Sequence, residues 1–393
     1  MAAVVAAFEL FVEKHMDETE VMLADAVEVM LKDRHNKERL RQVYQGRNAY
    51  SRVLWREMAE QGWLAITLSE ALGGSGLLTR HAAVIAKSLG QHVVPEPFAS
   101  SAAMVACLVN RLHAHNPEAW QSIAVSLLSG ETWSVPAWQE SMSSLEVQPT
   151  LQAQTTAVGT IRLQGVKHAV IAADMADQWL VSAVEGQEVQ LWCVPARTPG
   201  VLVEASLGSD GSSVSRVLFS DVELTQAQCL GRGEDVLLAL LQAREEALVL
   251  TSAQLQGAAE QALSMTVEYM CTRQQFGKAI GSFQSLQHLA VDVRVQQALA
   301  QAALNAALRD MDTAASSSTL RSSVARAKAR TGQAAQMAGR FGVQAHGAIG
   351  FAAEADIGLY LKTALRLSAY LGNSSYHRQH IAQEIFAQEQ VTA

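Results

Sequence analysis

The feature that most constrains the fold is the helical pattern that follows Gly233 and continues to the end of the chain. Four long segments rich in alanine and glutamine begin near residues 235, 282, 319 and 357, with only short breaks between them. Both residue types favour helices, and helices joined by short connections pack in antiparallel order. The pattern therefore predicts a C-terminal antiparallel four-helix bundle, of a kind that commonly self-associates along its apolar faces.

The pattern changes twice before Gly233. Up to about residue 128, apolar residues return every three or four positions, which predicts helices. The run LGGSG at 72–76 predicts a helix end and a loop, because consecutive glycines readily adopt positive φ angles. From about 132 to 225, runs such as QEVQLWCVPA and SVSRVLFSDVEL are typical of a small antiparallel β domain.

Together these patterns predict an α+β protein that is mostly α. We expect an N-terminal helical domain at 1–128, a middle β domain at 129–230 and the C-terminal four-helix bundle at 231–393. Within the bundle, the run DTAASSSTLRSS predicts a loop.

Composition argues against several classes of function. The chain has 393 residues, of which 49% are hydrophobic and 17% charged, so it can form the cores of two or three packed units. A net charge of -8 argues against nucleic acid as a partner, because nucleic-acid binders normally carry a basic face. No apolar run reaches the roughly 18 residues of a membrane span, and the first fifteen residues do not form a signal peptide. These observations predict a cytoplasmic protein.

The four cysteines lie far apart, with no C-x-x-C pair. This spacing favours buried free thiols over a disulfide framework or a metal site.

Two motifs in the bundle region carry residue types suited to an anionic dinucleotide. The first, YMCTRQQFGKAIGSFQ, occupies 269–284, and the second, QAHGAIGF, occupies 344–351. Arg273 offers a planar fork of donors for phosphate oxygens, and Phe276 gives an aromatic face beside a glycine. Taken singly, Arg273 could equally be a solvated cation at a helix end and Phe276 a core side chain. The predicted cofactor-binding set is Arg273, Phe276, Gly277, Gln284, Gln344, Gly347 and Gly350.

In these motifs, and in the order of its three units, the chain resembles the acyl-CoA dehydrogenase family over nearly its whole length. The resemblance implies the fold of that family, FAD as cofactor, an acyl-CoA substrate and electron-transfer flavoprotein as a further partner. It also implies a role for the predicted set. In family members these positions contact the adenosine and pyrophosphate half of a flavin that lies mainly in the neighbouring subunit.

The positions that the resemblance assigns to the chain's own flavin carry other residue types. SVPAWQESMSS at 134–144 stands where the family has a Thr-Glu-Pro and Gly-Ser-Asp loop. Ala169 and Ile171 stand where the family places a tryptophan and a hydroxyl residue near the flavin ring. Ile171 cannot donate a hydrogen bond to the ring, and Asn373 replaces a further hydroxyl near the chain end.

The base that the resemblance predicts is also missing. Dehydrogenation of an acyl-CoA removes an α proton, so a carboxylate must lie within hydrogen-bond reach of the α carbon. The family motif Tyr-Glu-Gly reads Tyr-Leu-Gly at 370–372, and the second known position of the base is Ala247. Glu245 and Glu246 adjoin Ala247, but one residue along a helix turns the side chain by about 100°. We predict both to be surface charges, and we predict no catalytic residue.

Contacts to a neighbour's flavin are thus kept, whereas the chain's own flavin contacts and base are lost. The pattern resembles the smaller, base-lacking subunit of a heteromeric acyl-CoA dehydrogenase, of the kind used in the breakdown of steroid side chains and other bulky acyl-CoA esters. The resemblance implies an α2β2 hetero-oligomer whose second subunit carries the glutamate; otherwise the chain would form a homodimer or homotetramer.

Two alternatives stay open. One is a homo-oligomeric flavin-dependent monooxygenase or oxidase on the same fold, which does not need the glutamate. The other is a CoA-ester binding or scaffold protein with no redox role.

Overall fold

The computed structural model describes residues 16–34, 37–44 and 50–392. The prediction that the chain begins without a signal peptide concerns residues outside these ranges. Within them, no helix combines the length and the apolar character that crossing a bilayer requires.

The N-terminal part is helical. Ser51 caps one helix by accepting a bond from Leu54 N at 3.2 Å, and Asn116 caps another whose first residue is Pro117. Gly73 ends a short 3₁₀ turn with φ +89°, which confirms the break predicted at 72–76. The helices are α1 (Glu18–Arg34), α2 (Lys37–Tyr44), α3 (Arg52–Glu60), α4 (Thr79–Gln91), α5 (Met104–Leu112) and α6 (Pro117–Ser129), with a π-helical turn at Phe98–Ala103 before α5.

The middle part is one sheet with the order β6-β7-β3-β2-β4-β5-β8, and β1 pairs with β4. Most pairs are antiparallel as predicted, but β1 and β2 both run parallel to β4, so the prediction of a purely antiparallel domain was wrong. Parallel neighbouring strands need a long connection along the chain. Here that connection between β2 and β4 includes β3, which pairs with the other edge of β2. The strands are β1 (Ser134–Ala137), β2 (Gln152–Thr155), β3 (Ile161–Ile171), β4 (Gln178–Glu185), β5 (Glu188–Pro195), β6 (Val201–Leu207), β7 (Ser213–Leu224) and β8 (Cys229–Arg232).

The C-terminal part is the predicted helical bundle, and its first four helices begin within two residues of the predicted positions. The fourth helix ends at Ala369, and a fifth helix that the sequence analysis did not separate begins at Ser374. The loop predicted for DTAASSSTLRSS was too long, because Ser316 accepts a bond from Thr319 N at 3.4 Å and starts a helix there. The helices are α7 (Glu234–Thr272), α8 (Gln284–Asp312), α9 (Ser317–His346), α10 (Ile357–Ala369) and α11 (Ser374–Thr392). The predicted domain boundaries after 128 and 230 stay predictions.

A close crossing of α4 and α7 joins the N-terminal helices to the bundle. A Cβ atom at Gly90 would lie 1.9 Å from Gln254 O, and a Cβ atom at Gly257 would lie 1.9 Å from Lys87 O. Only glycine allows the two backbones to approach this closely.

The cysteines are free thiols, but only Cys107 is fully buried. Cys193 and Cys229 are half-buried, and Cys271 is exposed. The prediction of four buried thiols was therefore wrong for three of them, because a cysteine's spacing in the sequence does not reveal which face of its element is covered.

Candidate functional site

The first motif forms a tight hairpin between α7 and α8. Strands β9 (Gln274–Gln275) and β10 (Lys278–Ala279) pair through a two-residue turn in which Phe276 has φ +54° and Gly277 φ +78°. Two positive φ angles are the mark of a type I′ turn. The turn holds the Phe276 side chain 90% exposed, so the alternative that Phe276 is a core side chain was wrong.

Arg273 lies at the end of α7, where its backbone is fixed on both sides. Its N–H donates to Tyr269 O at 2.8 Å, and its carbonyl accepts from Ile280 N at 2.9 Å. The side chain is exposed, and within the described part of the chain its guanidinium has no hydrogen-bond or ion-pair partner. Gln284, the first residue of α8, is exposed as well. Both side chains are therefore free to contact a ligand or a neighbouring chain.

An aromatic stack brings the two motifs together. The rings of Tyr269 and His346 lie 4.1 Å apart at an interplanar angle of 18°. His346 Nδ1 is also 2.7 Å from Gly342 O, one helical turn earlier in α9. Arg273 is one turn beyond Tyr269, and Gly347 follows His346, so the two ends of the predicted set lie at the same end of the bundle.

The two glycines of the second motif have different environments. Gly347 has φ +66° and ψ -140°, its N–H bonds Gln344 O, and nothing lies within 4 Å of a Cβ built there. Gly350 is buried, and a Cβ there would lie 2.4 Å from Val343 O. Packing against α9 therefore explains glycine at position 350, whereas Gly347 leaves the backbone open to an approaching group.

A groove of about 340 Å³ opens at the end of α9. Two residues of the predicted set line it, namely Gln344 and Gly347, together with Arg340, which the sequence analysis did not select. The remaining walls are apolar and consist of Val343, Phe351 and Leu361.

Helix α2 holds the segment that follows this groove. Arg41 donates to the carbonyl oxygens of Ala353 at 3.2 Å and Glu354 at 2.8 Å, and to the Asp356 carboxylate at 2.6 Å. The Arg41 guanidinium thus ties the segment between the second motif and α10 to helix α2 in the N-terminal part of the chain.

The segment 138–147 overlaps the region 134–144 to which the resemblance assigns a flavin loop, and here it is fixed to the sheet. His168 N donates to Gln139 O at 2.7 Å, and the fully buried Lys167 Nζ lies 2.5 Å from Glu140 Oε1. Lys167 also donates to Ser182 Oγ at 2.9 Å, and Glu140 accepts from Leu151 N at 3.0 Å. We call this arrangement the Lys167–Glu140 anchor.

Burial and charge act in opposite directions on the two groups of the anchor. Burial lowers the pKa of Lys167 to about 8, although the Glu140 charge and hydrogen bond oppose the shift. Burial alone would raise the pKa of Glu140, but the Lys167 charge and the hydrogen bonds to the carboxylate outweigh it and lower that pKa. At neutral pH the anchor is therefore a buried ion pair.

The same segment packs into the junction between the sheet and the bundle. Leu145 O accepts from Arg244 of α7 at 2.8 Å, and Leu145 N donates to the Tyr376 hydroxyl of α11 at 3.4 Å. The apolar residues at this junction belong to one core cluster and are at most 5% exposed; they are Trp138, Leu145, Val147, Ile171 and Leu371.

This junction does not fit a flavin ring. A buried flavin needs hydrogen-bond partners for its polar edge, because an unpaired buried polar group costs on the order of 1 to 3 kcal/mol. Here the residues at the expected ring position, Ile171 and Leu371, are apolar, buried and part of one hydrophobic core cluster. Ala169 lies in a β-bulge with φ +51°, and Ile171 is buried.

The turn at 370–372, in the expected place of the base, is held by two buried basic side chains. Leu371 has φ +55° and is buried, so its strained backbone persists only because neighbours fix it. Lys328 Nζ donates to Gly372 O at 2.9 Å, and His377 Nε2 bonds Leu371 O at 2.8 Å. Burial lowers the pKa of Lys328 to about 7 and, with the nearby Lys328 charge, lowers that of His377 to about 4.

Acidification is expected to destabilise this turn through His377. Its pKa in the folded state is below the unfolded value of about 6.5, so the unfolded chain binds the proton first as the pH falls. The contribution of His377 to the free energy of unfolding should drop by about 1.4 kcal/mol per pH unit between pH 6 and pH 4, whereas the raised pKa of Glu246 contributes with the opposite sign. Urea unfolding of the parent chain and of a His377 variant at pH 6, 5 and 4 measures the His377 contribution as the difference between their slopes.

Two variants separate this slope from other titrations. His377→Gln should change it, whereas His288→Gln, a change at an exposed histidine of α8, should leave it unchanged. Equal slopes for the parent chain and His377→Gln would contradict the assignment.

The prediction that Glu245 and Glu246 are surface charges was wrong, because both are buried. Glu245 pairs with Arg244 at 2.5 Å. Burial raises the pKa of Glu246 to about 7, opposed by hydrogen bonds from Cys107 and Gln242. Arg244 contacts the junction. Glu246 lies two residues further along α7, which turns its side chain by about 200° relative to that of Arg244, so Glu246 points away from the junction.

Comparisons with known proteins agree with this architecture. The model of the acyl-CoA dehydrogenase N-terminal domain matches residues 17–131, and that of the C-terminal domain matches residues 240–386. The chain is 29% identical over 341 residues to the acyl-CoA dehydrogenase FadE27 of Mycobacterium tuberculosis, covering 86% of this chain and 88% of the relative.

Solved structures share the fold. The ChsE4-ChsE5 complex from Mycobacterium tuberculosis superposes with a TM-score of 0.82 at 24% identity, over 94% of this chain and 98% of the other. The Tcur3481-Tcur3483 steroid ACAD gives a TM-score of 0.82 at 24% identity, over 96% and 99%. At this identity the likeness shows the fold alone. With both of its terminal domains matched by the family's models, the chain belongs to the acyl-CoA dehydrogenase family.

Proposed function

We propose that the chain is the base-lacking subunit of a heteromeric, FAD-dependent acyl-CoA dehydrogenase. In this role it supplies contacts to a flavin held by a partner subunit and performs no dehydrogenation in its own cleft. The observation that carries the proposal is an asymmetry: one flavin-contacting region is exposed and open, whereas the other is filled by the chain's own side chains.

The open region supports contact in trans. Arg273 has no side-chain partner within the described residues, and Phe276 is 90% exposed on a rigid turn. A cation and an aromatic ring held out from a fixed backbone are suited to the pyrophosphate and ribose of a dinucleotide. The Tyr269–His346 stack keeps the groove at Gln344 beside them.

The filled region supports the absence of catalysis in cis. Leu371 carries no ionisable group and is buried, and Ala247 is buried as well. Among the described residues, Glu246 has a pKa raised towards neutrality, but it faces α5 rather than the junction. The basic side chains at the turn, Lys328 and His377, are buried and bonded to backbone carbonyl oxygens, so the described turn offers no carboxylate base for the α proton of an acyl thioester.

The partner in this proposal is a second acyl-CoA dehydrogenase chain that carries the glutamate, in an α2β2 assembly. FAD bound by that partner supplies the acceptor for the hydride that leaves the β carbon, and electron-transfer flavoprotein then takes up the electrons. The substrate is an acyl-CoA thioester. We propose a bulky acyl group in lipid or steroid breakdown, as the resemblance implies, and a cytoplasmic location.

The packed junction disfavours the monooxygenase or oxidase alternative, which also needs a flavin ring bound in cis. The scaffold alternative, a CoA-ester binding protein with no redox role, predicts no flavin even when a partner is present, whereas the proposal predicts flavin in the complex.

Restoring the carboxylate at the family position should not restore catalysis. Leu371→Glu in the lone chain is expected to give no acyl-CoA-dependent dye reduction, because the junction around it stays apolar and closed. The assay uses a set of acyl-CoA esters with an artificial electron acceptor. Measurable turnover by the lone variant would mean that the junction admits both flavin and substrate.

Co-expression tests the proposal itself. The chain is produced together with a family member that carries Tyr-Glu-Gly, and the mixture is separated by size. The expected result is one complex with acyl-CoA dehydrogenase activity, in which mutating the partner's glutamate abolishes turnover. If the two chains never associate, the proposed function is wrong.

A further inference from the structure

The groove at the end of α9 contains a cation that the sequence motifs do not include. Arg340 precedes Gln344 by four residues, so the two side chains lie on the same face of the helix, and both line the groove. Arg340 Nη2 donates to Gln336 Oε1 at 3.1 Å. Across the residues described, its other N–H groups have no partner.

The walls of the groove indicate the chemical class of its ligand. Val343, Leu361 and the 84% exposed Phe351 form an apolar and aromatic surface. Beside it stand one guanidinium, one amide and the open backbone at Gly347. A flat ring attached to a phosphate fits both the apolar wall and the polar groups beside it, because the ring can cover the wall while the guanidinium fork binds phosphate oxygens.

We propose that Arg340 is a further phosphate-binding residue of this chain, and that its guanidinium contacts the diphosphate of the FAD held by the partner subunit. This inference rests on the proposed function and deepens it. It gives the chain two cations for one diphosphate, Arg273 from the hairpin and Arg340 from α9.

The test measures FAD binding rather than turnover. The complex with the partner is stripped of flavin and titrated with FAD, and quenching of flavin fluorescence gives the dissociation constant. Arg340→Ala should weaken binding by at least about tenfold, the effect of one charge-assisted hydrogen bond. Arg340→Lys should weaken it less, because the charge stays while the planar fork is lost.

Arg330→Ala is the matched control. Arg330 is an exposed arginine of the same helix, about 15 Å from Arg340 along the axis, and it does not line the groove. Its removal should leave the dissociation constant for FAD unchanged. If Arg340→Ala and Arg330→Ala weaken FAD binding equally, the effect is one of overall charge and the inference is overturned.

Two further outcomes would also overturn it. If the dissociation constant for FAD is unchanged in Arg340→Ala, Arg340 does not contact the phosphate. Loss of assembly, with unchanged FAD affinity in the complexes that remain, means that the groove receives a side chain of the partner instead. Arg273→Ala, measured in parallel, distinguishes failure of the Arg340 inference from failure of the proposed function. If Arg273→Ala weakens FAD binding and Arg340→Ala does not, only the Arg340 inference fails. If neither variant weakens FAD binding, the proposed function fails as well.

Discussion

Replacing Arg273 by alanine is expected to reduce the FAD content of the complex by about tenfold or more while leaving the stability of this chain almost unchanged. The guanidinium is exposed and has no side-chain partner within the described chain, so its removal breaks no hydrogen bond or ion pair of the described residues. In the complex, a diphosphate would lose a charge-assisted pair. An exposed substitution of this kind usually changes the free energy of unfolding by less than about 0.5 kcal/mol.

Flavin absorbance per chain measures the first effect, and thermal unfolding of the lone chain measures the second. Gln275→Ala, an exposed change in the same hairpin, is the control and should alter neither. If the flavin content of the complex proves indifferent to Arg273 while the lone chain melts markedly earlier, Arg273 is a structural residue and has no role in binding the flavin.

Breaking the Lys167–Glu140 anchor should have the largest effect on stability. Glu140→Ala leaves the fully buried Lys167 ammonium without its carboxylate, and removing one partner of a buried pair typically costs about 3 to 5 kcal/mol. The backbone N–H of Leu151 loses its acceptor as well. We expect a large drop in the denaturation midpoint, measured by urea unfolding at pH 7.

Two controls identify the cause. Glu146→Ala removes an exposed carboxylate from the same segment and should change the midpoint little. Adding Lys167→Met to Glu140→Ala should recover much of the loss, because the uncompensated charge is then gone. A double variant that is no more stable than Glu140→Ala alone would show that the buried charge is not the cause.

The bundle could be predicted almost completely from the sequence, because its helices are long and their composition is strongly helical. The sheet was predicted less well, since the β1–β4 and β2–β4 pairs join segments far apart in the chain and local alternation does not specify a partner strand. Only the structure shows the parallel pairs.

The candidate site, like the fold, was predicted only in part from the sequence. The motifs around Arg273 and Gln344 carry their own signal, and the sequence analysis selected them. The Lys167–Glu140 anchor was missed, although a lysine within an alternating strand could have signalled a buried charge in need of a carboxylate. Glu246 was misjudged because helical phase gives its direction on α7 but not that α5 covers it.

The central claim is that this chain binds flavin only as a contributor to its partner's site. The most direct measurement is the flavin absorbance of the purified chain alone, compared with that of the chain co-purified with a family member carrying the glutamate. The account predicts a nearly colourless lone chain and a yellow complex with flavin in proportion to the partner. Stoichiometric flavin in the lone chain would contradict it.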